Sequence, residues 1–235
     1  MKYHDTKKSC LLLTGHVRDF GRYKQNILGK LVNKNTDIYA CTWDDQGDYS
    51  ISEKYEVPIK KQLILPSVLQ GKIKTLALNP RTDDVFKKVP RAIDHLSRGC
   101  VERMKCQWLC VKYAFKMVED YGQYDVIARC RFDMCFHDTA PLEYDENKLN
   151  IPTRGIDVNL YNDHFAYGNP AIMKKHCTMY DHVQDIYDSH NIDISYNERL
   201  LKFYMEEYQV KVSTAYHDIQ YTIERITNDL TRLWD

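Results

Sequence analysis

The sequence Ser9-Cys10-Leu11-Leu12-Leu13-Thr14 opens the part of the chain that decides its fold. This apolar run predicts a fully buried strand that ends at Gly15. An amphipathic helix is predicted over 20–32, and a second strand over 37–42. Strand, helix and strand in this order open a βαβ unit, which predicts a parallel sheet covered by helices.

The remainder of the chain continues this alternation. The predicted elements are a helix over 101–121, a strand over 124–133, an edge strand over 148–152, a strand over 162–168, a helix that Pro170 opens, helices over about 178–189 and 197–208, and a strand over 210–215. Prolines interrupt residues 44–100, so we expect an irregular, partly mobile insertion there with one short strand over 62–65. Since no repeat or linker is visible, the 235 residues predict a single α/β domain.

A row of charges ends the strand predicted over 124–133. Arg129, Arg131 and Asp133 stand two residues apart and therefore share one face of the strand. Such a row is costly beside a core, which favours a polar cleft where arginines bind anionic oxygens and Asp133 binds a metal ion or a sugar hydroxyl. The alternative is a structural ladder of ion pairs, and it fits the deeper Arg129 better than Arg131. Asp138 is a second candidate carboxylate.

Two turns at strand ends are further candidates. Ligands of open α/β sheets bind at the carboxyl ends of strands, where helix N-termini collect. The turn Gly15-His16-Val17-Arg18 is a candidate phosphate-binding site; the alternative is a turn that only connects the strand to the helix. Trp43 and Asp44 follow the second strand, where a base can stack on the indole and ribose hydroxyls can bind the carboxylate, unless Trp43 only anchors the loop.

Three candidate acid–base groups lie in the second half of the chain. Asp163 is a candidate general base, and His164 is a candidate base or metal ligand. Glu198, near the start of the predicted helix over 197–208, is the second choice for the base. Each has a plain alternative, since a single histidine is more often an ordinary polar residue and a first-turn glutamate is expected from the helix dipole.

Composition and absent motifs exclude several classes of protein. Lys plus Arg and Asp plus Glu both number 33, so the formal net charge is zero, which argues against nucleic acid as a partner. The sequence has no Walker A motif, no GxGxxG, no HExxH and no GxSxG. We see no signal peptide or membrane span, and the 8 cysteines form no CxxC pair, so reduced thiols and a cytoplasmic location are expected.

Six blocks of the sequence resemble, in the same order, a family of glycosyltransferases with a GT-A-like, Rossmann-related fold. Its members occur in bacterial surface-polysaccharide clusters and in large DNA viruses. The blocks are residues 13–20, 37–43, 107–108, 124–133, 162–168 and 197–201.

This resemblance implies transfer of a sugar from a nucleoside-diphosphate donor to a glycan or glycoconjugate acceptor. The nucleotide-binding part would span about 9–135 and the acceptor-side part about 136–235, in the cytoplasm (the host's, for a virus). Related enzymes hold a divalent cation with an Asp-x-Asp motif, whereas this chain has Arg131-Phe132-Asp133. Either Asp133 alone represents that motif on Mn²⁺ or Mg²⁺, or Arg131 replaces the charge of the metal.

Two other functions stay open. One is a non-catalytic module that binds a nucleotide sugar or a carbohydrate. The other is a sugar nucleotidyltransferase, although of its glycine-rich phosphate loop only Gly15 and Arg18 are present.

Overall fold

The computed structural model of the protein describes residues 7–44, 50–70, 91–137, 144–151, 161–189, 197–213 and 221–223. The strands are β1 (Ser9–Thr14), β2 (Thr36–Trp43), β3 (Ile59–Leu65), β4 (Val126–Arg131), β5 (Met134–Phe136), β6 (Leu149–Asn150), β7 (Phe165–Gly168), β8 (Val212–Ser213) and β9 (Tyr221–Ile223). The helices are α1 (Phe20–Leu31), α2 (Ile51–Tyr55), α3 (Arg91–Lys116), α4 (Pro170–Cys177), α5 (Val183–Ser189) and α6 (Asn197–Glu207). Short 3₁₀ helices lie at Tyr121–Gln123 and Met179–His182.

Seven of the strands form one sheet in the order β3-β2-β1-β4-β7-β6-β8. The pairs β1–β2, β1–β4, β2–β3 and β6–β8 are parallel, whereas β7 runs antiparallel to both β4 and β6. Strands β5 and β9 form a separate antiparallel pair. The prediction of an α/β fold with a mostly parallel sheet flanked by helices is therefore confirmed.

Apolar residues on β1 explain why helices cover both faces of the sheet. Leu11 and Leu13 point to one face and pack in the same core as Phe20 of α1. Leu12 points to the other face and packs in the same core as Trp108 of α3. A strand that is buried on both faces reads as a continuous apolar run, as β1 does.

The expectation of an irregular insertion over 44–100 is wrong for the part that the structure describes. Helix α2, strand β3 and the first turns of α3 all lie in it. Strand β3 extends the sheet beside β2, and the exposed Lys60 and Lys61 on this edge strand hid its apolar pattern. Residues 45–49 and 71–90 of the insertion, like Asp138, lie outside the described residues.

Two predicted strands are shorter than expected, and this moves three candidate residues into loops. Strand β4 ends at Arg131, so Phe132 and Asp133 form the turn into β5. Strand β7 begins at Phe165, so Asp163 and His164 precede it. None of the described helices is long and apolar enough to cross a membrane.

Candidate functional site

The turns that follow β1 and β4 meet at one edge of the sheet. Strands β2 and β3 lie on one side of β1, and β4 lies on the other, so the strand order reverses between β1 and β4. These two strands run parallel, with Thr14 beside Arg131 at their carboxyl ends. Ligands of open α/β sheets bind in the crevice at such a reversal, which makes this edge the candidate site.

A buried carboxylate holds two arginines at this edge. Both oxygens of Asp133 accept hydrogen bonds from Arg131, from Nε to Oδ1 at 2.8 Å and from Nη2 to Oδ2 at 2.7 Å. Arg18 reaches the same carboxylate from the turn after β1, with Nη1 3.4 Å from Oδ2. The side chain of Asp133 is 3% exposed and that of Arg18 is 36% exposed. The carboxylate is therefore enclosed, whereas Arg18 faces solvent.

The negative charge of Asp133 is balanced by its two arginine neighbours. Burial alone would raise the pKa of Asp133, but the hydrogen bonds from Arg131 and the charges of Arg131 and Arg18 outweigh it, so this pKa lies below its ordinary value. Although burial opposes the charge on Arg131, its bonds to Asp133 raise its pKa. The geometry thus favours a role for Asp133 in positioning two arginines over its predicted role as a metal ligand.

Arg129 lies deeper and joins β1 to the loop before β7. Its side chain is completely buried. Its Nε donates to Oγ1 of Thr14 at 2.8 Å, and its Nη1 donates to the backbone carbonyl of Asp163. Burial lowers the pKa of Arg129, but a guanidinium keeps its charge at physiological pH. Because the side chain offers no surface to a ligand, the structural alternative describes Arg129 better than its predicted role in donor binding.

The antiparallel direction of β7 brings two further candidates to this edge. Phe165 of β7 pairs with Cys130 of β4, so the residues before β7 lie beside the carboxyl end of β4. The backbone N–H of Arg131 donates to the carbonyl of His164 at 3.3 Å. Asp163 and His164 therefore lie next to the arginines.

Asp163, His164 and Glu198 form a compact group. One ligand atom from each lies within 4.8 Å of the other two, and Nε2 of His164 is 3.1 Å from Oδ1 of Asp163. Asp163 is 2% exposed, and Glu198 is half-buried in the first turn of α6. These are the three residues that the sequence analysis selects for acid–base chemistry, and the fold places them together.

A chain of hydrogen bonds that the sequence analysis did not foresee supports this group. Gln107 on α3 donates from Nε2 to Oδ2 of Asp163 at 2.7 Å. Oε1 of Gln107 accepts from Nδ2 of Asn197 at 3.3 Å, and Oδ1 of Asn197 accepts from the indole N–H of Trp108 at 3.1 Å. Since Asn197 precedes Glu198, these bonds also fix the start of α6. In the sequence, Gln107 is marked only as part of the block 107–108 that contributes to the family resemblance.

Burial keeps His164 and the nearby His176 neutral. It lowers the pKa of His164 to about 4 and that of His176 to about 3. His176 packs edge-to-face on Trp108, with ring centroids 5.2 Å apart, and neither of its ring nitrogens has a hydrogen-bond partner among the described residues. Burial would raise the pKa of Asp163, but the surrounding groups, with His164 and Arg129 foremost, hold it below its ordinary value.

The free energy of unfolding should therefore decrease as the pH falls from about 6.5 to about 4.5. Unfolded histidine has a pKa of about 6.5, so in this range the unfolded chain binds protons that the folded chain excludes. His164 and His176 should each contribute up to about 1.4 kcal/mol per pH unit. Asp133 and Asp163 contribute to the pH dependence of the free energy of unfolding only below about pH 4, since their folded pKa values lie below the ordinary value. Urea unfolding at a series of pH values measures this slope.

The variant His176→Phe keeps an aromatic ring against Trp108 and should remove about half of the histidine slope. His137→Gln is the matched control because His137 is exposed. A slope that His176→Phe leaves unchanged, or that His137→Gln reduces equally, would contradict this account of the acid sensitivity.

The turn after β1 is open in front of Gly15. Gly15 has a φ of 106°, which favours glycine, and its N–H donates to the carbonyl of Cys41 at 3.1 Å. That amide is therefore not offered to a phosphate. A Cβ at Gly15 would meet no atom of the described residues within 4 Å, so the space directly before the turn is open there. His16 lies half-buried in the same turn.

The two candidates after β2 make structural contacts. The indole of Trp43 is 2% exposed and packs in the core with Leu65, so it has no free face for a base. Asp44 accepts a hydrogen bond from the backbone N–H of Ser67 at 2.7 Å. This geometry agrees with the alternative that Trp43 only anchors its loop. It gives no support to the predicted contacts of Trp43 and Asp44 with a nucleotide.

Comparison with known proteins found no family model and no curated protein that matches the sequence. Function is therefore inferred from the geometry of the site together with the resemblance of the six sequence blocks.

Proposed function

We propose that the protein is a glycosyltransferase that moves a sugar from a nucleoside-diphosphate donor to a glycan or glycoconjugate acceptor. The observation that carries the proposal is the pairing of Arg18 and Arg131 on Asp133 where the strand order reverses. Guanidinium groups at the carboxyl ends of parallel strands suit a diphosphate. The GT-A-like form of the sheet is part of the same proposal and is supported by the order of the six sequence blocks.

Both arginines keep hydrogen-bond donors for a phosphate. Arg131 uses Nε and Nη2 on Asp133, and its Nη1 makes no hydrogen bond within the described part of the chain. Arg18 is more than one-third exposed. Negative charge grows on the diphosphate as the bond to the sugar breaks, and donors that are already in position stabilise that charge. Asp133 supplies this positioning.

Activation of the acceptor hydroxyl is assigned to the group formed by Asp163, His164 and Glu198. This group lies beside Arg131, whose backbone N–H binds the carbonyl of His164. Asp163 is the first choice for a base from sequence, but it is buried and its pKa lies below the ordinary value, which makes a free Asp163 a weak base. Glu198 is the member that an acceptor can reach.

Release of nucleotide from a panel of UDP-, GDP- and other activated sugars in the presence of Mn²⁺ tests the proposal. The wild type should hydrolyse at least one donor slowly. Arg18→Ala should lower kcat/KM about 10- to 100-fold, because one charge-assisted contact contributes about 1.5–3 kcal/mol. Its fold should be retained, since Arg18 is exposed and Arg131 still donates to both oxygens of Asp133. Arg22→Ala on the exposed face of α1 is the matched control and should keep the wild-type rate.

The other outcomes separate the alternative functions. Tight binding of a donor without any turnover would support a non-catalytic module. Formation of pyrophosphate from a nucleoside triphosphate and a sugar phosphate would support a nucleotidyltransferase. A chain that neither binds nor cleaves any donor would overturn the proposal.

A further inference from the structure

We propose that Asp163, His164 and Glu198 bind a divalent metal ion, and that Asp133 does not. The three side chains come from the loop before β7 and from the first turn of α6. The inference concerns the ion alone and holds whether or not the chain transfers a sugar.

The spacing of the two buried ligands is that of neighbours on one ion. Metal bonds of about 2.0–2.2 Å at angles near 90–110° place two ligand atoms about 2.8–3.6 Å apart. Nε2 of His164 and Oδ1 of Asp163 are 3.1 Å apart. This Oδ1 is nevertheless a buried oxygen that accepts no hydrogen bond from any described residue, which leaves it available to a cation.

The surrounding contacts hold these ligands through other atoms, so Oδ1 of Asp163 faces His164 without a hydrogen bond. Oδ2 of Asp163 accepts from Gln107 at 2.7 Å, and Arg129 donates to the backbone carbonyl of Asp163. The backbone N–H of His164 donates to Oδ1 of Asn162 at 2.8 Å. Metal ligands are oriented in this way by neighbours that bind their other atoms.

Asp133 presents the opposite arrangement. Both of its oxygens accept hydrogen bonds from Arg131, and Arg18 lies 3.4 Å from Oδ2. A cation would have to displace two guanidinium groups from a buried carboxylate, which is costly.

The donor set also indicates which ions fit. Two carboxylates and one imidazole suit Mn²⁺ or Zn²⁺, whereas Mg²⁺ and Ca²⁺ prefer oxygen ligands alone. An ion held there would polarise an oxygen bound to it, which is the acceptor activation that the proposed function assigns to this group.

Pulsed electron paramagnetic resonance of the full chain with Mn²⁺ alone provides the test. The spectrum of the wild type should show the strong coupling of one directly coordinated ¹⁴N nucleus. His164→Gln should abolish this coupling and weaken Mn²⁺ binding at least tenfold. Asp133→Asn should leave both the coupling and the affinity unchanged.

A second variant keeps the inference testable if His164→Gln does not fold. Glu198→Gln alters a half-buried residue and should weaken Mn²⁺ binding at least tenfold in calorimetry while the ¹⁴N coupling persists at saturating ion. Glu206→Gln, on the exposed part of the same helix, is the matched control and should bind as the wild type does.

Three results would overturn the inference: no binding of Mn²⁺ or Zn²⁺ at millimolar concentration, a ¹⁴N coupling that survives His164→Gln, or a loss of affinity in Asp133→Asn alone. Because neither a nucleotide nor a sugar is present, such a failure leaves the donor assay and the proposed glycosyltransferase function untouched.

Discussion

Replacement of Arg129 by methionine should lower the free energy of unfolding by about 3–5 kcal/mol. The change removes a fully buried guanidinium and leaves Oγ1 of Thr14 and the carbonyl of Asp163 without their donors. It also removes the permanent cation with the largest effect on the pKa of the buried Asp163 carboxylate. A domain of this kind is stable by only about 5–15 kcal/mol, so urea unfolding should show a much earlier transition.

Two further variants identify the cause of this loss. Arg199→Met removes an exposed arginine from α6 and should change the free energy of unfolding by less than about 0.5 kcal/mol. The double variant Arg129→Met/Asp163→Asn should recover at least about 1 kcal/mol, because the uncompensated charge is then gone. A loss below about 1 kcal/mol in Arg129→Met would mean that Arg129 is not the residue that joins β1 to the loop before β7.

The second large effect concerns the affinity for the donor. Arg131→Gln should weaken binding of the matching nucleotide sugar about 10- to 100-fold, because it removes one charge-assisted contact with the diphosphate. It should also destabilise the fold, since Asp133 is buried and both of its bonds from Arg131 are lost. Calorimetry of the donor and urea unfolding measure the two effects separately.

A double variant separates binding from stability. Arg131→Gln/Asp133→Asn removes the buried charge together with its partner and should recover most of the lost stability. Its affinity for the donor should stay low, because a guanidinium is still missing. If the double variant binds the donor as the wild type does, Arg131 serves the fold alone.

The first half of the sheet could be predicted from sequence because its local patterns agree with its tertiary environment. Strand β1 is buried on both faces, so its apolar run stands out and its predicted bounds of 9–14 are those observed. The strand predicted over 62–65 is shorter than β3, because β3 lies at an edge of the sheet, where lysines interrupt the apolar positions.

Most of the candidate residues could be selected from sequence, but their partners could not. Asp163, His164 and Glu198 each stand out separately in the sequence. The antiparallel pairing of β7 with β4 brings the first two beside Arg131. Gln107 gains its role from a residue 56 positions away along the chain, and no local pattern records such a contact.

The structure favours other roles for Arg129 and Asp133 than those predicted, because sequence spacing does not report how deeply a side chain is buried. Alternation along a strand places Arg129, Arg131 and Asp133 on one face, but it says nothing of depth. The side chain of Arg129 is fully buried and donates to Oγ1 of Thr14. Strand β4 ends before Asp133, whose carboxylate turns back to Arg131. The geometry favours an ion pair between Asp133 and the arginines. Sequence spacing alone cannot distinguish such a pair from a metal site.

A crystal structure of the protein with UDP or GDP and Mn²⁺ tests the central claim most directly. We predict the diphosphate in the crevice between the turn after β1 and the turn after β4, with its oxygens within hydrogen-bond distance of Arg18 and Arg131. A nucleotide bound elsewhere on the molecule, with both arginines still enclosing Asp133 and out of its reach, would contradict the account.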